Sequence, residues 1–229
     1  TQGELGWPDG GGVVGVRKDV VITAVAHGLP NVLEEAAEIK EAFGERAKLL
    51  QDCSVDALDK ALQDCTVWFF AGHGASLQDE RVLAFASADG EYESISIDAL
   101  AELVWPHVTR GLRLVVLTGC CTSQLAIALR DLASVPCVVC WETLVADEAA
   151  RAFGRELACK LSSDVDIELA FSAARTAVTC LTEQGNLNGW AGQVQKFELA
   201  DPRDASRVHQ ERPNRHRLIV ANGTGGASL

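Results

Sequence analysis

Along most of this chain, short apolar runs alternate with segments of helical periodicity, and few folds accommodate that order. The apolar runs begin at Val20, Ala47, Val67, Leu114 and Val135, and the first of them is rich in β-branched residues. Such runs are typical of strands that are buried on both faces. Because strands that alternate with helices form parallel sheets covered on both sides, we predict an α/β fold with a mostly parallel sheet and helices on both faces. The first helix is expected to start at an Asn31 cap.

The alternation is interrupted between residues 81 and 96. Two short runs, Arg81–Ala86 and Tyr92–Ile95, flank the dipeptide Asp89-Gly90. Because Asp-Gly favours a tight turn between strands, we expect a β-hairpin inserted into the α/β domain.

We divide the chain into three parts. Residues 1–18 are Gly-rich and carry little pattern, so we expect a flexible leader. Residues 19–200 hold the patterned domain, and residues 190–199 are expected to form a small terminal strand pair. Residues 201–229 contain five Arg against three acidic residues, and we expect a basic tail that is poorly ordered or adds one edge strand.

Charge and composition restrict the partners. A net charge of -12 argues against nucleic acid. The chain contains no apolar run near the ~20 residues that span a bilayer, so we expect no membrane association. Residues 1–12 lack the features of a signal peptide, and most of the eight Cys lie within apolar patterns, as reduced Cys does. We therefore predict an intracellular, cytoplasmic protein.

Two residues with catalytic chemistry each follow a predicted strand. His73 stands near the end of the run Val67–Gly74, and Cys120 stands near the end of the run Leu114–Cys121, 47 positions later. If the two strands are neighbours in a parallel sheet, both side chains emerge at the same edge, where functional groups gather. An imidazole beside a thiol favours a thiolate nucleophile, so His73 and Cys120 are our candidate catalytic residues.

The thiolate would attack a peptide carbonyl and create an oxyanion. Backbone N–H groups stabilise such an oxyanion well because they are already oriented. We expect the amides of Gly74 and Cys120, one from each turn, to form this oxyanion hole. Glycines beside His73 and before Cys120 allow a substrate backbone to approach closely.

Other roles for the cysteines remain open at this point. Cys121 is an alternative nucleophile because it directly follows Cys120. A zinc site could be drawn from these two and the pair Cys137 and Cys140, which have ligand spacing. However, residues three apart on a strand face opposite sides, so we predict no metal site. No phosphate-binding loop is present, and we expect no cofactor.

At this point the chain resembles the CHAT domain, a caspase-like cysteine peptidase module related to separase. The similarity lies in the stretches Phe70–Gly74, Leu117–Cys120 and Val135–Phe153. It implies a caspase-like fold with His73 as base and Cys120 as nucleophile. It also implies a protein or peptide substrate, no metal or organic cofactor, and control by another domain or partner protein.

The same resemblance implies a specificity pocket. In separase-like relatives, an acidic residue after this strand binds a basic side chain at P1, the residue that precedes the cleaved bond. Asp147 matches that position and Glu142 lies close to it, so both are candidate substrate-binding residues. A carboxylate would pair with an Arg guanidinium through two hydrogen bonds. The alternative is that Asp147 caps a helix that begins at Glu148.

The predicted function is therefore that of an intracellular cysteine endopeptidase. The principal alternative is a catalytically silent, caspase-like interaction module. A Cys hydrolase of small amides is a third reading.

Overall fold

The computed structural model of the protein describes residues 19–26, 29–72, 74–77, 80–87, 91–183 and 194–198. The strands in these ranges are β1 Val20–Ala24, β2 Ala47–Gln51, β3 Val67–Ala71, β4 Gly74–Leu77, β5 Glu80–Ala86, β6 Tyr92–Ile95, β7 Leu114–Leu117, β8 Cys137–Trp141 and β9 Val194–Glu198. The helices are α1 Pro30–Phe43, α2 Val55–Ala61, α3 Ile97–Arg110, α4 Ser123–Asp131, α5 Asp147–Ser162 and α6 Ile167–Glu183.

The main sheet has the strand order β2-β1-β3-β7-β8-β9 within the described ranges. The first five strands run parallel, and β9 is antiparallel to β8. The predicted mostly parallel α/β architecture is thus confirmed. The expected terminal strand pair at residues 190–199 is different: the described strand, β9, pairs with β8. The open edge of β8 offers a ladder of unpaired backbone groups, which β9 satisfies.

Helices cover both faces of this sheet, as predicted. Side chains of a strand alternate between faces, so Phe69 packs with α1, α5 and α6, whereas Phe70 packs with α2, α3 and α4. Both rings are fully buried. The apolar positions of each helix face its own layer, which gives two cores separated by the sheet.

The predicted hairpin is confirmed, and it is part of a second sheet. Strands β4, β5 and β6 form a three-stranded antiparallel sheet in that order. The sequence pattern did not indicate β4, because a strand that begins with Gly-Ala-Ser has little β propensity and depends on its partner β5. Leu83 and Phe85 of β5 anchor this small sheet in the core beside α3 and α4.

The order of the strands creates a crevice. From β1 the chain moves outward to β2 on one side and then returns to β3 on the other side. Ligands of open α/β sheets bind where the order reverses in this way, outside the carboxyl ends of the strands. The loops after β1, β3, β7 and β8 all lie at that edge.

Candidate active site

A cavity of about 140 Å³ opens at the carboxyl edge of the main sheet. Its walls come from the segments after β1, β3, β7 and β8, and they include Asn31, Gly72, Gly74, Thr118, Cys120 and Asp147. Cavities that bind drug-sized ligands usually measure roughly 300–1,000 Å³. This cavity therefore fits one side chain of a larger substrate better than a whole ligand.

The turn that carries Cys120 is fastened to the end of β8. The amides of Cys121 and Thr122 donate hydrogen bonds to the carbonyls of Thr143 (3.0 Å) and Trp141 (2.8 Å). The buried hydroxyl of Thr122 donates to the carbonyl of Gly119 at 3.1 Å and accepts from the amide of Trp141 at 3.4 Å. These bonds hold the turn in one geometry, which a nucleophile requires.

The Cys120 thiol faces the loop between β8 and α5. The amide of Val145 donates a hydrogen bond to Sγ at 3.4 Å, and Sγ lies 3.8 Å from the carbonyl oxygen of the same residue. Cys120 is partly exposed and lines the cavity. Within the described ranges, the amide of Cys120 donates no backbone hydrogen bond, in contrast to the next two amides.

The turns after β3 and β7 are in direct contact. A β-carbon built on Gly74 would stand 2.2 Å from the carbonyl oxygen of Cys120 and 3.1 Å from Cγ2 of Thr122. Only glycine permits so close an approach of the two backbones. His73 lies outside the described residues, whereas its chain neighbours Gly72 and Gly74 both line the cavity with Cys120.

The second candidate nucleophile differs from the first. Cys121 is partly exposed and does not belong to the lining of the cavity. Its backbone has a φ of 53°, which is uncommon for a residue other than glycine. This left-handed conformation turns the chain between Cys120 and α4. The contrast supports Cys120 as the reactive thiol.

The helix caps predicted at Asn31 and Asp147 are both wrong, because these two side chains contact each other. Helix α1 begins at Pro30 and α5 begins at Asp147, and neither has a side-chain cap. Instead, the Asn31 amide nitrogen donates to Oδ2 of Asp147 at 3.1 Å. The cap alternative for Asp147 is therefore excluded. Its exposed carboxylate lies in the wall of the cavity, whereas Glu142 is exposed and does not line it.

One residue of the cavity was missed by the sequence analysis. Glu35 on α1 lines the cavity, although its side chain is only 5% exposed. The signal was present: Glu35 lies three residues after Val32 and four before Ile39, so an acid stands on the apolar face of the helix. Gly154 of α5 makes room for the carboxyl, since a β-carbon there would lie 3.1 Å from Glu35 Oε1.

Burial raises the pKa of Glu35 from its ordinary value of 4.5 to about 7. The Thr118 hydroxyl opposes this shift, but it also donates to the carbonyl of Phe70 at 3.1 Å. The negative charges of Asp147 and Glu38 raise the pKa further, and the Arg151 guanidinium lowers it. Glu35 is therefore close to half protonated at neutral pH.

The two cysteines with zinc-ligand spacing lie on opposite faces of the sheet. Cys137 belongs to the core beside α1, α5 and α6, and Cys140 belongs to the core beside α2, α3 and α4. The prediction that these two side chains face opposite sides is confirmed. Among the described residues, no group of three or more His, Cys, Asp or Glu is arranged to hold a metal ion. Across the same ranges, no helix combines the length and apolarity that a membrane crossing requires.

The family model for the CHAT domain matches residues 13–219. The chain belongs to the CHAT family. No curated protein matches this CHAT chain. The resemblance stated from the two short motifs and the segment after Cys120 is thus confirmed over almost the whole sequence.

Solved structures that share this fold include C11 cysteine proteases. One is the X-ray structure of a secreted C11 cysteine protease from Bacteroides thetaiotaomicron in complex with an irreversible peptide inhibitor, with a TM-score of 0.54 and 9% identity. Another, of the protease called iotapain from the same organism, gives 0.52 and 10%. Each comparison covers 83% of this chain and 68% of the other. At these identities the similarity shows a shared fold.

Proposed function

We propose that this CHAT protein is a cysteine endopeptidase with His73 as general base and Cys120 as nucleophile. The register of the sheet carries this proposal. Strand β3 pairs with β7 so that Val67 lies beside Leu114 and Phe70 lies beside Leu117. This offset of 47 positions equals the separation of His73 and Cys120 in the sequence. His73 and Cys120 therefore each come three positions after the last residues that the two strands pair, Phe70 and Leu117.

The chemistry follows from these groups. The imidazole of His73 takes the proton of Cys120, and the thiolate attacks the carbonyl carbon of the scissile peptide bond. The amides of Cys120 and Gly74 hydrogen-bond to the oxyanion that results. The C–N bond then breaks as the imidazolium protonates the leaving amine. Water, activated by the same imidazole, hydrolyses the thioester and restores the free thiol.

The cavity beside Cys120 is the proposed site for the P1 side chain. Its volume suits one side chain, and Asp147 presents a carboxylate in its wall. A Lys or Arg side chain would pair with this carboxylate, and Arg would do so through two hydrogen bonds. Glu142 is exposed on the loop before α5, where it would add only to the negative potential around the mouth of the cavity.

Three further parts of the proposal concern the compartment, the control and the partners of the protein. All eight cysteines lie in described residues and none forms a disulfide, which supports a reducing, intracellular compartment. Control by another domain or partner protein is proposed from the family alone. An acidic chain with a net charge of -12 is poorly suited to nucleic acid.

Covalent labelling tests the dyad directly. The wild-type protein is treated near neutral pH with an electrophilic peptide that carries Arg at P1, and the adduct is located by mass spectrometry. We expect one adduct, on Cys120. Cys120→Ala removes it, and the matched variant Cys121→Ala leaves it in place. His73→Ala lowers the labelling rate by at least about 100-fold, because proton transfer by a positioned base contributes roughly this factor.

The outcomes separate the three functions. An adduct on Cys121 that persists in Cys120→Ala would refute the assigned nucleophile. Absence of labelling and of peptide cleavage in the wild type would favour the silent interaction module. Turnover of small amides without cleavage of any peptide or protein would favour the small-amide hydrolase.

A further inference from the structure

We infer that Glu35 determines specificity at the base of the P1 cavity, where it binds the cationic end of a basic side chain and gives up a proton on binding. This inference rests on the proposed function, since it takes the cavity beside Cys120 to be the P1 site. It adds to Asp147 a second carboxyl with a different property: its charge depends on the substrate.

The first observation is the position of an unsatisfied group. Glu35 lines the cavity, its side chain is more than nine-tenths buried, and Oε1 has no hydrogen-bond partner among the described residues. Buried polar atoms are nearly always paired, and leaving one unpaired costs roughly 1–3 kcal/mol. An unpaired acceptor in the wall of a binding cavity is explained most simply by a ligand that supplies the donor.

The second observation concerns the nearest cation. Arg151 of α5 faces α1, but its guanidinium donates to Glu38 Oε1 at 2.6 Å and also to a carboxylate oxygen of Glu34. Both terminal nitrogens of the Arg151 guanidinium therefore donate hydrogen bonds to other carboxylates of α1, those of Glu34 and Glu38. Within the part of the chain that the structure describes, Glu35 forms no ion pair, and a substrate ammonium or guanidinium would supply its counterion.

Neighbouring groups on α1, α5 and the end of β7 determine the protonation state of Glu35. The carboxyl of Glu38 comes from its own helix, Asp147 and Arg151 come from α5, and the Thr118 hydroxyl comes from the end of β7. Two of these groups are negative and one is positive. Together with burial they keep Glu35 largely protonated below pH 7 in the empty site, because its pKa is about 7. A bound cation reverses this balance and favours the carboxylate.

The test compares two peptides that differ only at P1, one with Arg and one with citrulline, its neutral isostere. For each peptide, kcat/KM is measured from pH 5.5 to pH 8.5. Titration of His73 and Cys120 affects both peptides equally and cancels in the ratio of their kcat/KM values. The ratio therefore reports recognition of the P1 charge alone.

For the wild type we expect the Arg-to-citrulline ratio to rise about tenfold between pH 6 and pH 8. This is the change in the ionised fraction of a group with a pKa of about 7. Glu35→Gln should give a ratio with little pH dependence and a lower value at pH 8. The matched variant Glu38→Gln removes a carboxylate one turn away that does not line the cavity, and it should keep the rise. Thermal unfolding of each variant confirms that it is folded.

A ratio that favours Arg but is flat with pH, and is unchanged in Glu35→Gln, would overturn the role of Glu35 and leave the peptidase intact. Failure to cleave either peptide would count against the proposed function instead.

In that case, a binding experiment tests the inference. A peptide ending in Arg amide is titrated calorimetrically into Cys120→Ala at pH 7 in buffers of different ionisation enthalpy. Release of about half a proton per bound peptide by Cys120→Ala, but not by the double variant that also carries Glu35→Gln, supports the inference. Equal proton release by the two proteins refutes it.

Discussion

The carbonyl oxygen of Cys120 faces the α-carbon of Gly74 so closely that a β-carbon at position 74 would stand 2.2 Å from it. The turn that follows β3 and the turn that follows β7 thus share one backbone contact. The dyad proposed for this CHAT protein spans that contact, because His73 directly precedes Gly74 in the sequence.

Gly74→Ala should therefore separate the two turns. Backbone atoms on both sides leave no flexible group to yield, so we expect kcat/KM for a P1-Arg peptide to fall by at least about 100-fold, as displacements near 1 Å do. Gly72→Ala is the matched control, since its β-carbon would meet side-chain atoms of Phe70 and Val25 at 3.1 Å, with no backbone atom as close as the 2.2 Å contact at Gly74. We expect a loss below about tenfold there. Equal losses in the two variants would contradict the special role of the Gly74 contact.

Thr122→Val tests the attachment of the nucleophile turn. The variant leaves the Gly119 carbonyl without the donor at 3.1 Å and places an apolar group against the Trp141 amide. Because the site is buried, we expect the free energy of unfolding in urea to fall by about 1–3 kcal/mol. Thr179→Val, which removes an exposed hydroxyl from α6, should change it by less than about 0.5 kcal/mol. A similar small effect at both positions would show that the turn does not depend on Thr122.

Glu35→Gln should change stability in a pH-dependent way. The pKa of Glu35 is about 7 in the folded protein and ordinarily 4.5, so the folded state binds the extra proton between these values. The wild type is then most stable relative to the variant below pH 4.5, and this advantage is lost as the pH rises through about 7. Between pH 4.5 and pH 8 the wild type should lose up to about 3 kcal/mol of stability relative to the variant, the free-energy equivalent of that pKa shift.

Chemical unfolding of both proteins at pH 5 and pH 8 measures this difference. Glu38→Gln is the control, because its carboxylate is paired with Arg151 and its pKa is lowered by that hydrogen bond. A difference between the wild type and Glu35→Gln that does not depend on pH would contradict the buried, protonated state of Glu35.

Asp147→Asn should reduce the preference for a basic P1 residue more than Glu142→Gln does. Asp147 lines the cavity, whereas Glu142 is exposed outside it. We expect the Arg-to-citrulline ratio of kcat/KM at pH 8 to fall at least about tenfold in Asp147→Asn. Glu142 does not line the cavity, so its charge would act on the P1 side chain only through solvent, and Glu142→Gln should change the ratio by no more than about fivefold. The reverse order of effects would move the specificity role to Glu142.

Sequence pattern alone was sufficient for the fold class and for most of the elements, although it did not indicate β4. The apolar runs at Val20, Val67 and Leu114 form the parallel strands β1, β3 and β7, because a run that is apolar at every position is stable only when both faces are covered. Period-two alternation likewise predicts that Cys137 and Cys140 lie on opposite faces of the sheet, and they do.

What the chain's pattern could not decide was the identity of contacts between residues distant in sequence. Asn31 and Asp147 have the local chemistry of helix caps, yet they bind each other across 116 positions, because α1 and α5 pack side by side. Local propensity is worth about 1 kcal/mol at a cap, and packing overrides it.

The sequence therefore determined the order of strands and helices, the inserted hairpin and the two motifs that carry the candidate dyad, since each depends on residues close together in the chain. Only the tertiary structure decided that Cys120 rather than Cys121 lines the cavity, that Gly74 touches its carbonyl, and that Oε1 of Glu35 is buried there with no hydrogen-bond partner among the described residues. These properties arise from the register of β3 against β7 and from the packing of α1 on α5. Both are set by long-range contacts that no local periodicity encodes.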